Sequence, residues 1–174
     1  MLNILDEIQN FIEDEERDLK YKLGDNFSLS FDTTPSIAYD YLNIDEVPEY
    51  SFHHPEFLKS ESEEFPNKSD YNIYFHKIKN LCTRSLEDSL YNQPYTEHLK
   101  TINPNKNLLN VVKKIFKKDH IPAEQLPQFG EFGLYTNKGN NRAPRVFFFI
   151  GNLGMIYILF YDPFHKIFPS KEQV

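Results

Sequence analysis

The chain has 174 residues, 40% of them apolar and 16% aromatic, which is enough to build one real core and unlike the composition of a disordered segment. Its single cysteine excludes an intramolecular disulfide, and a formal net charge of −7 excludes a uniformly basic nucleic-acid binder. The charge is unevenly spread: residues 1–94 carry 8 Lys+Arg against 20 Asp+Glu, and residues 95–174 carry 11 against 6, so an acidic half precedes a basic one.

The first residues, Met1-Leu-Asn-Ile-Leu-Asp-Glu, have no basic leader pattern, and the expected location is the cytoplasm. Residues 3–18 read as an amphipathic helix with Leu5, Ile8, Phe11 and Ile12 on one stripe. Residues 27–31 alternate as a half-buried strand does, and a turn is expected at Thr33-Thr34-Pro35. Tyr50-Ser-Phe52 suggests another short strand, and the polar stretch 59–68, with Pro66, a linker-like loop. Ser69 is an expected N-cap for a helix with Tyr71, Tyr74, Phe75, Ile78, Leu81 and Cys82 on its buried stripe. Ser85-Leu-Glu-Asp88 resembles a capping box that opens a short helix to about Tyr91.

Asn103-Pro104 predicts the start of a further helix, running to about Lys118, with Leu108, Leu109, Val112, Ile115 and Phe116 facing inward. Lys106, Lys113, Lys114, Lys117 and Lys118 crowd the rest of its surface, where they suit either the helix dipole or contact with phosphate. Residues 129–135 read as a strand, and 136–144 as a polar, basic loop. Residues 146–150 and 155–161 are apolar strands joined around Gly151-Asn-Leu-Gly154. The whole stretch 146–161 is too short and too interrupted for a membrane helix, so a hairpin apolar on both faces is expected, covered on both sides. Along the second strand, simple alternation sets Met155, Tyr157 and Leu159 against Ile156, Ile158 and Phe160. The expectation is a single domain over 1–174, with an acidic portion at 1–58, a helical portion at 69–118 and a sheet portion at 129–169.

The sequence holds no nucleotide-binding loop, zinc knuckle or nucleophile elbow. Asp162-Pro163-Phe164-His165-Lys166 follows directly on the last strand, so the proline ends the ladder and the charged groups are expected to emerge at the sheet edge. There His165 could carry a proton near neutral pH, or be a bystander in a turn capped by Asp162. Antiparallel pairing brings Arg145 to the same end as Asp162, where its guanidinium either stabilises a phosphoryl group or pairs with that aspartate. Arg142 brackets the preceding loop. His53-His54-Pro-Glu56 contains metal-ligand residue types, but adjacent histidines on an extended segment diverge, and neither a metal nor a cofactor is expected. Tyr95, His98 and Lys100 are further acid/base or phosphate candidates, supported only by their position before the basic helix.

The run Arg145-Val-Phe-Phe-Phe-Ile followed, after a turn, by Ile156-Tyr-Ile-Leu-Phe-Tyr-Asp-Pro-Phe-His-Lys-Ile-Phe-Pro169 resembles the closing strands of RelE/ParE-like toxins of Gram-positive bacteria. The helix from Tyr71 with Arg84-Ser-Leu-Glu-Asp is similar to their helical portion, so the resemblance spans about residues 50–93 and 129–169. It implies an α+β fold, a small antiparallel sheet with N-terminal and central helices packed on it, and endoribonuclease activity through attack by the ribose 2′-hydroxyl without a metal. It also implies catalytic roles for Arg145, His165 and Lys166. Arg142, Lys113, Lys114, Lys117 and Lys118 would contact substrate. The implied partners are RNA and an antitoxin-like protein, with no membrane and no DNA. The acidic first half and the lysine-rich helix depart from the usual short, basic members. The rival expectation is therefore a non-enzymatic interaction module, for phage defence or counter-defence, with an acidic partner-binding face.

Overall fold

The computed structural model describes residues 31–92, 99–137, 139, 142–151 and 154–169. The helix expected over 3–18, most of the strand at 27–31, and Tyr95 and His98 lie outside the described residues. Five strands form one sheet: β1 (Ile37–Ala38), β2 (Leu99–Ile102), β3 (Gln128–Gly133), β4 (Arg145–Ile150) and β5 (Ile156–Asp162), in the order β1-β5-β4-β3-β2. Among the described residues three α-helices accompany them: α1 (Asp70–Leu81), α2 (Leu86–Tyr91) and α3 (Lys106–Ile115). The class is α+β. The sheet is mixed rather than purely antiparallel, because β1 runs parallel to β5 while β2 to β5 pair antiparallel.

The β4–β5 hairpin forms as its sequence requires, with Arg145 opposite Asp162 and Ile150 opposite Ile156. Val146 to Ile150 are all buried, and both faces are covered. On one face, Val146, Phe148, Ile150, Ile156, Ile158 and Tyr161 pack against Ile73, Tyr74, Ile78 and Leu81 of α1 and Leu86 and Leu90 of α2. On the other, Phe147, Phe149, Leu159 and Phe160 pack against Leu108, Val111, Val112 and Ile115 of α3. Removing this much apolar surface from water is the main drive for the fold. Gly130 on β3 makes room for it: a Cβ there would lie 2.3 Å from the Phe148 ring of the adjacent strand.

Strict alternation fails at one point of β5, and the consequence is large. Phe147 pairs with Phe160 but Phe148 with Ile158, so Leu159 is an extra residue in a bulge. Leu159 and Phe160 therefore both face α3, and every later side chain changes sides. Tyr161 is sent to the α1 face, and Asp162 to the face of Arg145.

Local chemistry sets the helix starts. Ser69 accepts the Asn72 N–H and Ser85 the Asp88 N–H, as their cap positions imply. The third cap is Asn105 rather than Asn103: its Oδ1 accepts the Leu108 N–H at 2.8 Å, and α3 ends at Ile115, before the last lysines. Cys82 lies just past α1 and is exposed, and Tyr71 and Phe75 are exposed as well, correcting the assignment of these three to the buried stripe. Tyr50 closes a 3-10 helix (Pro48–Tyr50) instead of opening a strand, since Pro48 fits the first turn of a helix and gives no ladder N–H. Stretch 59–68 is a tethered loop, not a free linker: Asn137 donates to the Glu61 carbonyl at 3.1 Å, and Ser62 is buried.

Candidate active site

β4 begins where β5 ends, and at this end of the sheet Arg145, Asp162 and Glu131 share the face turned toward α3, with His165 within electrostatic reach of all three. The bulge at Leu159 puts Asp162 there. Asp162 is fully buried, which corrects the expectation of an exposed aspartate. One oxygen accepts the Phe164 N–H at 3.2 Å and the other the Ile167 N–H at 2.8 Å, pinning the turn that carries His165. Burial pushes the Asp162 carboxyl above its ordinary range, against the pull of those backbone N–H groups. Within the turn His165 adopts φ 55°, a left-handed conformation uncommon outside glycine, and is half-buried.

Arg145 is partly buried and donates from Nη1 to the carbonyls of Tyr135 and Pro144, both at 3.2 Å. Burial lowers its pKa, and the charges of Glu131 and Asp162 oppose that effect. His165 is held below the ordinary histidine range, first by burial and next by the charge of Arg145, while Glu131 and Asp162 pull it upward. The guanidinium and the imidazole thus lie close enough to act on each other.

Glu131 is the residue the sequence reading missed. It sits on β3 opposite Phe147 and is 2% exposed. Its Oε1 meets the Lys100 ammonium of β2 at 3.1 Å, and Oε2 has no hydrogen-bond partner among the described residues. A buried carboxylate with one oxygen unsatisfied is costly, and such groups are retained where their charge is used. A lone acid in an otherwise apolar strand was the available signal. Lys100, expected as an acid/base or phosphate candidate, is exposed and is paired with this carboxylate.

Arg142 is elsewhere. The expectation that it reaches from a loop to phosphate is corrected: it is 4% exposed and its guanidinium is fully engaged. It donates to Asp70 Oδ2 at 3.0 Å, to the Tyr135 hydroxyl at 2.7 Å and to the Glu56 carboxylate. Asp70, with no exposed surface, also accepts the hydroxyls of Tyr135 and Tyr161. Burial works against the charge on Arg142, but Tyr135 and the surrounding acids outweigh it and raise its pKa. The guanidinium also lies 5.9 Å from the centre of the Phe164 ring, beneath the turn that bears His165.

Lys166 is exposed, with Nζ 5.3 Å from the Phe164 ring. The lysines of α3 are not part of this cluster. Asn105 at the start of α3 donates to the Ile167 carbonyl, so the helix begins near the site and runs away from it. Its C-terminal Phe116 contacts Phe149 at the far end of β4. Lys113, Lys114, Lys117 and Lys118 accordingly gather at that end, roughly 13 Å along the strand from Arg145, and Lys117 pairs with Glu46 at 3.7 Å. His53 lies 3.6 Å from Asp45, His54 accepts the Glu56 N–H, and the Glu56 side chain is engaged with Lys59 and Arg142. Among the described residues no group of three His, Cys, Asp or Glu side chains is arranged to hold a metal ion.

No helix among the described residues is long and apolar enough to cross a membrane. Comparison with protein-family profiles, curated proteins and solved structures finds no match to this chain.

Proposed function

We propose that the protein is an endoribonuclease that cleaves RNA by internal attack of the ribose 2′-hydroxyl, in the manner of the RelE-like toxins its closing hairpin resembles. The observation that carries this reading is the placement of Arg145 opposite Asp162, the buried anchor of the turn that bears His165, with the buried Glu131 carboxylate on the neighbouring strand. His165 takes the proton of the 2′-hydroxyl as its oxygen attacks phosphorus. The bond from phosphorus to the 5′-oxygen breaks, and that oxygen takes a proton from water. Arg145 stabilises the charge that develops on the non-bridging oxygens, and exposed Lys166 contacts a neighbouring phosphate. Glu131 lies behind them, and its charge favours the guanidinium of Arg145 against the effect of burial. The products are a 2′,3′-cyclic phosphate and a 5′-hydroxyl.

Controlled expression tests this in cells. The wild type should arrest growth and create new RNA 5′-hydroxyl ends, and Arg145→Ala with His165→Ala should do neither while remaining folded. Identical RNA ends from the two proteins would remove the nuclease reading.

A second reading has one observation in its favour. Leu58, Tyr71 and Phe75 are exposed near the acidic stretch that contains Glu61, Glu63 and Glu64, a combination suited to a protein partner with basic and apolar groups. Such a partner could neutralise the enzyme, as an antitoxin does, or be the sole ligand of an inactive scaffold.

A further inference from the structure

We infer that the cavity behind His54 is a guanine-binding subsite for the nucleotide next to the cleaved bond. This deepens the ribonuclease reading and rests on it for the identity of the polymer. The cavity is an open cleft of about 450 Å3, within the range of small-molecule sites, and Pro48 and Pro55 form part of its wall. Its polar lining is Asp45, Glu49, Ser51, His53 and His54, with the Ser51 hydroxyl already engaged by the Ile44 carbonyl and the His53 N–H. Lysine and arginine are absent from that lining, so it does not suit a phosphate; it suits a planar group with several donors.

Continuity with the reaction centre comes through Phe164. Its ring is 40% exposed, immediately precedes His165, and meets the His54 ring edge-on at 6.0 Å between centroids. Arg142 and Lys166 approach the same ring. An exposed aromatic ring beside a phosphate-handling site is a stacking platform for a base, and stacking is indifferent to which base it is. Selectivity must come from the cavity.

Guanine matches the lining best. It alone among the common bases offers a ring N–H and an adjacent amino group side by side, the pattern a carboxylate accepts bidentately. Asp45 is drawn to His53, which leaves Glu49 the better candidate for that role. The His54 Nδ1 accepts the Glu56 N–H at 3.2 Å, which fixes the proton on Nε2 and makes that nitrogen a donor toward the guanine O6 or N7.

The test is direct binding of nucleosides to the full chain, followed by ligand-observed NMR and calorimetry. Guanosine should bind at least tenfold tighter than inosine, which lacks the amino group, and tighter still than cytidine or uridine. Glu49→Gln should remove the preference for guanosine over inosine, and Phe164→Ala should weaken all nucleosides alike. Equal affinity for guanosine and inosine, no effect of Glu49→Gln in a protein with a wild-type NMR spectrum, or displacement by an arginine-rich peptide with no nucleoside binding would each overturn the subsite. The nuclease reading fails separately: guanosine binding with no RNA cleavage would keep the subsite and discard the enzyme.

Discussion

Arg142→Ala provides the most quantitative test of how the fold holds the site. The guanidinium is buried with Asp70, and its removal leaves the Asp70 carboxylate without exposed surface and with only the Tyr135 and Tyr161 hydroxyls for compensation. Glu56 loses the same partner but keeps Lys59 and partial access to solvent, so most of the cost arises at Asp70. Breaking a buried pair by deleting one member costs about 3–5 kcal/mol, a large part of the 5–15 kcal/mol that usually holds a domain together. For a chain of this size that is a fall in melting temperature of roughly 6–20 °C. Urea titrations of the wild type, Arg142→Ala, Asp70→Asn and the double mutant close a thermodynamic cycle. Because the two residues share one network, the double mutant should lose less than the sum of the singles, with a coupling of about 1–3 kcal/mol. A loss below about 1 kcal/mol for Arg142→Ala, or strict additivity, would show that the network is solvated and that Arg142 is available for another role.

His165 should titrate below the ordinary histidine value when followed by NMR, because burial and Arg145 both disfavour its proton. Glu131→Gln removes an upward pull and should lower that pKa further, moving the acid limb of the cleavage profile to lower pH; Arg145→Gln should shift the titration the other way, and no movement in either variant would separate these groups. Since the folded-state value lies below the unfolded one, His165 contributes stability that is present above about pH 6.5 and is lost as pH falls through the depressed folded pKa. Gly130→Ala should cost about 1–3 kcal/mol by forcing the Phe148 ring from its place over the strand, read as an earlier urea midpoint; an unchanged midpoint would mean that the core yields without strain. Asn105→Ala should cost about 1 kcal/mol for the lost cap and also loosen Ile167, detectable as faster amide exchange there and unaltered exchange in β3.

The hairpin was legible because two runs of large apolar residues separated by Gly151-Asn-Leu-Gly154 have few alternatives, and with it the meeting of Arg145 and the Asp162 turn. The caps Ser69 and Ser85 were legible for a similarly local reason. The bulge was not: nothing in Ile158-Leu-Phe-Tyr marks Leu159 as an extra residue, and simple alternation set Phe160 with Ile156 and Ile158, on the face it does not occupy. The burial of Arg142 and Asp70 was also hidden, because these residues lie far apart in sequence and each looks like an ordinary surface charge in its own segment. Strand β2 carried no readable pattern in its four residues, and without it neither the Lys100–Glu131 pair nor the carboxylate behind His165 could be placed.

The central claim is tested most directly by purified protein acting on a short RNA and on the same strand carrying one 2′-deoxyribose at the cleaved position, each compared with the Arg145→Ala, His165→Ala double mutant. The account predicts cleavage of the all-ribose strand alone, by the wild type alone, leaving a 2′,3′-cyclic phosphate and a 5′-hydroxyl. Cutting of the deoxyribose-containing strand at that bond, or unchanged cutting by the folded double mutant, would contradict it.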